Sequence, residues 1–268
     1  MARSQGRFDG KVAFVTGGAT GIGFACAQAI INDGGCVMLA GRRDNVLSAA
    51  AQKLGPRAAW VVCDVTSDAA IEDGIAAAVD QFGPLRLAVN SAGAGSVGSV
   101  LNGMSEDFAK IIDTNLVGTF RAMRGEARAM KAAGGGSIVN VSSIAGVLTH
   151  RWMSAYCASK AGLNMLTRCA ADDLGEHGIR VNAVMPSFVP TEIWSVMVSS
   201  PEIHAEYLRR IPLGRLGTVE DVAALTAFLL SDESGWITGQ CVGVDGGHTI
   251  RQGPDMVPIY RQFLPEER

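Results

Sequence analysis

Long hydrophobic runs are missing from this 268-residue chain: no apolar stretch approaches the about 18 residues of a membrane-spanning helix. Basic runs are missing too. Net charge is −3, which gives no electrostatic reason to expect a nucleic-acid partner. Cysteine is sparse and never paired: Cys26, Cys36, Cys63, Cys157, Cys169 and Cys241 fall singly, with no Cys-x-x-Cys and no Cys/His cluster. That excludes the usual zinc arrangements, and no metal is expected. The cysteines read as small buried hydrophobes in a reducing compartment. Met1 to Gly10 is short and polar, unlike a signal peptide, and Pro265-Glu266-Glu267-Arg268 is no targeting address, so a cytoplasmic location is expected. Charged residues make up only 18% against 48% hydrophobic, which suits a globular chain with a large core.

What is present is a rhythm. Short apolar runs recur at Lys11–Thr16, Cys36–Gly41, Ala58–Asp64, Leu85–Ser91, Ser137–Ser142, Arg180–Met185 and Cys241–Asp245. Their hydrophobicity is continuous, which predicts strands covered on both faces. Helical stretches alternate with them at Gly21–Asn32, Asp44–Leu54, Asp68–Phe82, Ser105–Lys131, Ser154–Glu176 and Val219–Leu230. Alternating β and α predicts an α/β fold, a parallel sheet doubly wound by right-handed crossovers. Gly134-Gly135-Gly136 reads as the turn into the fifth strand. One domain spanning 1–268 is expected. Its segment 187–218, rich in proline and weakly periodic, reads as a lid, and 248–268 as a C-terminal tail.

Directly after the first strand comes Thr16-Gly17-Gly18-Ala19-Thr20-Gly21-Ile22-Gly23, opening the first helix. Gly17 permits a sharp turn, Gly21 lets backbone amides approach a pyrophosphate, and Gly23 allows close helix–strand packing. The helix N-terminus adds orphan N–H groups and a positive dipole end. Far along the chain lie Ser143, Tyr156 and Lys160. Four residues is about one helical turn, so the ammonium and the phenol share a face, and the ammonium favours the phenolate. Ser143 can hydrogen-bond the same substrate oxygen. Chance supplies a Tyr-x-x-x-Lys roughly once in twenty such chains, so the pair gains weight only beside the glycine turn.

Together, Thr-Gly-x-x-x-Gly-x-Gly, then Asn90, Ala92 and Gly93, then Asn115, Ser143, Tyr156 and Lys160 resemble the short-chain dehydrogenase/reductase family. Asp64, Pro186 with Thr191, and Ile237 to Gly247 follow the same order, so the resemblance runs from about residue 8 to 248. It implies a Rossmann-type sheet of seven parallel strands in the order 3-2-1-4-5-6-7. It implies NAD(P)-dependent interconversion of a carbonyl and a secondary alcohol. Tyr156 is then the proton donor or acceptor, Lys160 lowers its pKa and meets the nicotinamide ribose, and Ser143 polarises the substrate oxygen. Asn115 holds a relay water. Asp64 and Val65 meet the adenine, Asn90 braces its strand, and Thr191 reaches the carboxamide, with Pro186, Ser187 and Val189 nearby. A homotetramer (or homodimer) paired through the long helices and the last strand is also implied. Ser91 and Ser187 depart from the family pattern without removing a catalytic group. Relatives that reduce enoyl C=C bonds separate tyrosine and lysine by more residues, so carbonyl/alcohol chemistry is preferred.

The dinucleotide can be argued from charge. Gly41 ends the second strand where a carboxylate would repel a 2′-phosphate, and Arg42 and Arg43 follow, so NADP(H) is favoured over NAD(H). The expected substrate pocket is mostly apolar: Ser143, Ala145, His150, Met153 and Tyr156, with Ile193, Trp194 and Met197 from the lid. It suits a hydrophobic carbonyl or alcohol, such as a 3-oxoacyl thioester or an alicyclic or steroid-like ketone.

Overall fold

The computed structural model describes residues 6–192 and 199–263. In chain order the strands are β1 (Val12–Thr16), β2 (Cys36–Gly41), β3 (Ala58–Val62), β4 (Leu85–Asn90), β5 (Gly136–Val141), β6 (Ile179–Pro186) and β7 (Cys241–Val244). The helices are α1 (Gly21–Asn32), α2 (Asp44–Leu54), α3 (Asp68–Phe82), α4 (Ser105–Ile112), α5 (Gly118–Ala132), α6 (Ser154–Gly175), α7 (Pro201–Arg210), α8 (Val219–Leu230) and the short α9 (Val257–Tyr260).

All five residues of β1 are buried, because side chains alternate into two separate cores. Ala13 and Val15 join α1, α2 and α8 on one face. Val12 and Phe14 join α3, α5 and α6 on the other. Phe14 has no exposed surface, and burial of such a side chain contributes about 2–3 kcal/mol. The seven strands are all parallel and ordered β3-β2-β1-β4-β5-β6-β7, as the resemblance implies. The order reverses between β1 and β4, and there a crevice opens at the carboxyl ends of the strands.

Three sequence expectations need correction. The helix expected over Ser105–Lys131 is interrupted by a π turn at Asp113–Val117. Asn115 lies in that turn, and its side chain is claimed by the backbone of Ala94, so the chain takes a wider turn to reach it. β3 is an edge strand rather than a strand covered on both faces: Trp60 is 41% and Val62 53% exposed. The cysteines are all unpaired, but only Cys26 and Cys63 are buried, and Cys169 is exposed. Gly134 and Gly135 turn the chain from α5 into β5 with φ of 84° and 117°, values that favour glycine.

Candidate active site

β1 hands the chain to a turn that only glycine can make. Gly17 has φ 64°, and a Cβ there would stand 2.8 Å from the amide nitrogen of Ala92. Gly21 has φ 54°, and a Cβ on Gly23 would stand 2.3 Å from the Gly17 carbonyl oxygen. α1 then begins without a side-chain cap: Thr20, before its first residue, accepts no hydrogen bond, and the first turn holds no acid. By contrast Ser67 caps α3, and Thr218 and Asp221 form a capping box on α8. The orphan amides of α1 therefore face the crevice without a partner from a capping side chain.

The crevice is walled by Gly17, Ala19, Thr20, Gly21 and Ile22 on one side. Gly41, Arg42, Arg43, Asp64 and Val65 line one end, and Ala92, Gly93, Tyr156, Lys160 and Thr191 the other. Cys63, Ser91, Thr114 and Glu192 also line it, and sequence reasoning missed them. Other expected contacts stand behind the wall. Thr16 and Asn90 are buried, Gly23 packs in the helix start, Pro186 ends β6, and Val189 lies in the core, 4% exposed.

α6 carries Tyr156 and Lys160 on one face, with the Lys160 Nζ 5.7 Å from the centre of the phenol ring. The ammonium is buried and donates to the Val141 carbonyl at 2.8 Å. Ser143, at the end of β5, accepts from the Ala145 amide at 3.1 Å and shares a hydrogen bond with Tyr156. Asn115 sits opposite. Its Oδ1 accepts from Ala94 N–H at 2.8 Å, and its amide donates to Ala94 O at 2.9 Å and Ser159 Oγ at 3.1 Å. Both amide protons are thus engaged, and a relay water at Asn115 is left only lone pairs to meet. Ser142, beside Ser143, turns away and donates to Asn164 Oδ1 at 2.6 Å.

The electrostatics differ from the expectation for the phenol. Burial pushes the Tyr156 phenol up to about 12, opposed by the Ser143 hydrogen bond. Lys160, turned to Val141, does not bring it down. Burial pushes the Lys160 ammonium down to about 8. Between about 8 and its ordinary 10.5, the unfolded chain binds a proton that the folded chain does not, so stability rises with pH across that window. Below about 8 the cost of burying the charge is fully present. Lys160→Met is therefore expected to melt higher than wild type at neutral pH and to lack that alkaline rise. Calorimetry across the window checks this, and identical pH slopes in both proteins would refute it.

Beyond Tyr156 lies a small recess that also takes in Ser143, Ala145, His150 and Met153. Ile193, Trp194 and Met197 lie outside the described residues. Ile144, Ser187, Phe188 and Tyr207 complete the recess. Tyr207 stacks on Phe188 at 4.6 Å between ring centres and meets the His248 ring edge-on at 5.6 Å. Ser187 Oγ lies 2.8 Å from His248 Nδ1, and His248 is buried. Burial keeps both His150 and His248 below the usual histidine range, so both are neutral near pH 7. A further unexpected residue is Glu126 on α5. It is wholly buried and accepts from Asn90 at 3.0 Å.

A glycine-lined crevice at the strand reversal, with a serine, tyrosine and lysine at its mouth, defines a dinucleotide-dependent oxidoreductase of the Rossmann class. Comparison with known proteins agrees. Residues 17–249 match the family model described as enoyl-(acyl carrier protein) reductase. Galactitol 2-dehydrogenase (L-tagatose-forming) of Cereibacter sphaeroides is 37% identical, across 92% of this chain and 98% of that protein. The 3-oxoacyl-[acyl-carrier-protein] reductase of Escherichia coli is 33% identical, across 90% and 98%. Trans-4-hydroxycyclohexanecarboxylate dehydrogenase of Sinomonas cyclohexanicum is 36% identical, across 93% and 96%. A short-chain type dehydrogenase/reductase from Mycobacterium ulcerans superposes with a TM-score of 0.89 at 35% identity, covering 95% of each chain. The chain belongs to the short-chain dehydrogenase/reductase family. It is an oxidoreductase of that family, whose chemistry is NAD(P)-dependent carbonyl/alcohol exchange.

Proposed function

We propose that this protein reduces a ketone, or oxidises the matching secondary alcohol, with Tyr156 as general acid and base and NADP(H) as preferred dinucleotide. The observation that carries this is the hydrogen bond between Ser143 and Tyr156 beside the buried Lys160, at the mouth of a crevice that glycine alone can floor. The crevice fits such a group: side chains at Gly17 or Gly21 would fill it, running into Ala92 or Thr191. The dinucleotide, when bound, supplies or accepts the hydride. Tyr156 gives its phenolic proton to the substrate oxygen in reduction and takes it back in oxidation. Ser143 holds that oxygen by a hydrogen bond. Lys160, lining the crevice beside the phenol, would meet the nicotinamide ribose, and Asn115 ties the Gly93–Ala94 turn to α6 through Ser159.

Support for NADP(H) comes from the rim. Gly41 offers no carboxylate, and Asp44 is turned aside, accepting from the Trp60 indole N–H at 2.9 Å. Arg42 and Arg43 are exposed, Arg43 lying 3.6 Å from Glu192 in a solvent-facing pair. Replacing both arginines with alanine is expected to lower kcat/KM for NADPH by about 10- to 150-fold, the worth of a lost charged hydrogen bond, while NADH is little affected. Steady-state kinetics with both dinucleotides decides it. A wild type that prefers NADH overturns this assignment.

For the substrate, Ile144, Met153 and Phe188 favour an apolar carbonyl compound, a 3-oxoacyl thioester or an alicyclic or steroid-like ketone. His150, Ser187 and Tyr207 in the same recess favour a second reading, a polyol such as the galactitol named for one relative. A panel of 3-oxoacyl thioesters, cyclic ketones and polyols, followed by reduced-nicotinamide absorbance, separates the two. Silence across the panel argues instead for a non-catalytic redox sensor or structural subunit. An apolar groove between α5 and α6, bordered by the 46%-exposed Phe120, supports assembly of a homotetramer or homodimer through these helices. Six unpaired thiols suit the cytoplasm.

A further inference from the structure

Glu126 occupies a position that α5 otherwise fills with apolar side chains. The flanking sheet-facing residues are Ala122, Met123, Ala127 and Met130, all buried. Among the described residues it is the one acidic side chain in the buried set. Its Oε2 accepts from Asn90 Nδ2, and its Oε1 is buried with no hydrogen-bond partner. Asn90 sends its other amide proton to Asn140 Oδ1 at 3.1 Å and accepts from Thr16 Oγ1 at 3.4 Å. Thr16 Oγ1 in turn accepts from the Ala92 amide at 3.3 Å. Ala92 lines the crevice and backs directly onto Gly17. A continuous line of contacts thus runs from inside α5 to the floor of the crevice.

The surroundings decide the charge state of the carboxyl. β4 and β5 present only the neutral Asn90 and Asn140, and α6 presents Thr167, bonded to Asn140 at 3.0 Å. The ionisable groups of α6 nearest in sequence, Arg168, Asp172 and Asp173, are exposed. On α5 itself, Arg121 turns to Asp113 and Asp68, Arg124 to Asp68 and Arg128 to Glu72, so acids of the π turn and of α3 take up these guanidinium groups. Beyond the end of β3 stands the Cys63 thiol, pushed up to about 11 by burial with Asp64 and Glu126 adding to the rise. No cation faces the carboxyl, and one of its oxygens has no donor. Burial pushes it up to about 8 against the Asn90 hydrogen bond.

We propose that Glu126 is a positioning residue for the dinucleotide crevice: its carboxyl holds Asn90, and through Asn90 the Thr16–Ala92 contact, and its ionisation in alkaline solution places a charge on the buried, partnerless Oε1, draws water to it and loosens the crevice floor. This rests on the reading that the crevice takes a nicotinamide dinucleotide.

The test is NADPH binding by fluorescence titration, from neutral pH to well above about 8, for wild type, Glu126→Gln and Glu126→Leu. Wild-type Kd is expected to rise with pH above that value, with about tenfold per pH unit as the one-proton limit. Glu126→Gln, uncharged and close in shape, matches wild type near neutrality and loses most of that rise. Glu126→Leu leaves the Asn90 amide without its acceptor and weakens binding about tenfold at every pH. Lys160 titrates in the same range in all three proteins, so the difference between wild type and Glu126→Gln isolates the carboxyl. Superimposable pH curves for that pair overturn the proposal, as does a Glu126→Gln protein as weak as Glu126→Leu. Should Glu126→Leu not fold, the first pair alone decides. Melting curves without ligand give an independent reading. The folded carboxyl keeps its proton from its ordinary 4.5 up to about 8, so wild type loses stability relative to Glu126→Gln as pH rises through that window. A wild type that binds no dinucleotide at any pH overturns the functional reading, and the positioning role with it. The melting curves then show separately whether the carboxyl is held neutral.

Discussion

Tyr156→Phe is expected to lower kcat by about 10²- to 10⁴-fold while NADPH affinity stays close to wild type. Phenylalanine keeps the ring that packs beside Lys160 and removes only the hydroxyl shared with Ser143. The stability cost of that one hydrogen bond is about 1 kcal/mol, too small to explain such a loss of rate. The pH behaviour gives a second reading of the same group. With the phenol pushed up to about 12, the free protein carries the protonated form at neutral pH, ready to donate in reduction. Oxidation needs the phenolate, so its rate climbs with pH where reduction does not. Single-turnover kinetics in both directions checks this. A Tyr156→Phe protein within a few-fold of wild-type kcat would remove the phenol from the mechanism.

Gly23→Ala carries the second large effect, on binding and stability together. The added Cβ would stand 2.3 Å from Gly17 O and 3.2 Å from Gly18 Cα, both main-chain atoms that no side-chain rotation can clear. Relief requires α1 to move off the glycine turn. Overpacking of this kind costs about 1–3 kcal/mol, and at about 2–4 °C per kcal/mol the melting temperature falls by roughly 2–12 °C. NADPH affinity falls by more than tenfold, because the amides of the turn no longer converge. Gly55→Ala serves as the control for lost glycine alone, since its Cβ would meet nothing within 4 Å. Its φ of 89° carries strain without a clash. Equal loss of NADPH affinity in the two variants would mean that close packing at Gly23 does not shape the turn.

Much of this was legible in the chain because the signals are local. Val12–Thr16 reads as a covered strand since both its faces are apolar, and Gly17 to Gly23 reads as a phosphate turn since no other residue has the room. Spacing on α6 likewise puts Tyr156 and Lys160 on one face. What spacing does not carry is the direction of the ammonium, which goes to Val141 on a neighbouring strand. Tyr207 and His248 were illegible for a related reason. Tyr207 reaches the Ser143–Tyr156 recess from a sequence position far downstream, His248 stands behind it against Tyr207 and Ser187, and nothing in their own neighbourhood marks them. Glu126 was hidden by its chemistry, since a glutamate in a helix ordinarily faces water. Only Asn90, brought across from β4, explains its burial.

The π turn at Asp113–Val117 behaves as a coupling between two lengths of one shaft. Each residue advances an α-helix by about 100°, so the wider turn sets the angle at which α5 continues from α4. Within the joint Asn115 grips Ala94, while on the α5 side Met123 and Met130 engage the sheet. A single deletion between residues 113 and 117 shortens the chain by little yet twists one length against the other by about a quarter turn. Either Asn115 leaves the Ala94 backbone or α5 rolls its apolar stripe off the core. Length variation among homologous chains should therefore be excluded from these five residues even where flanking loops vary freely.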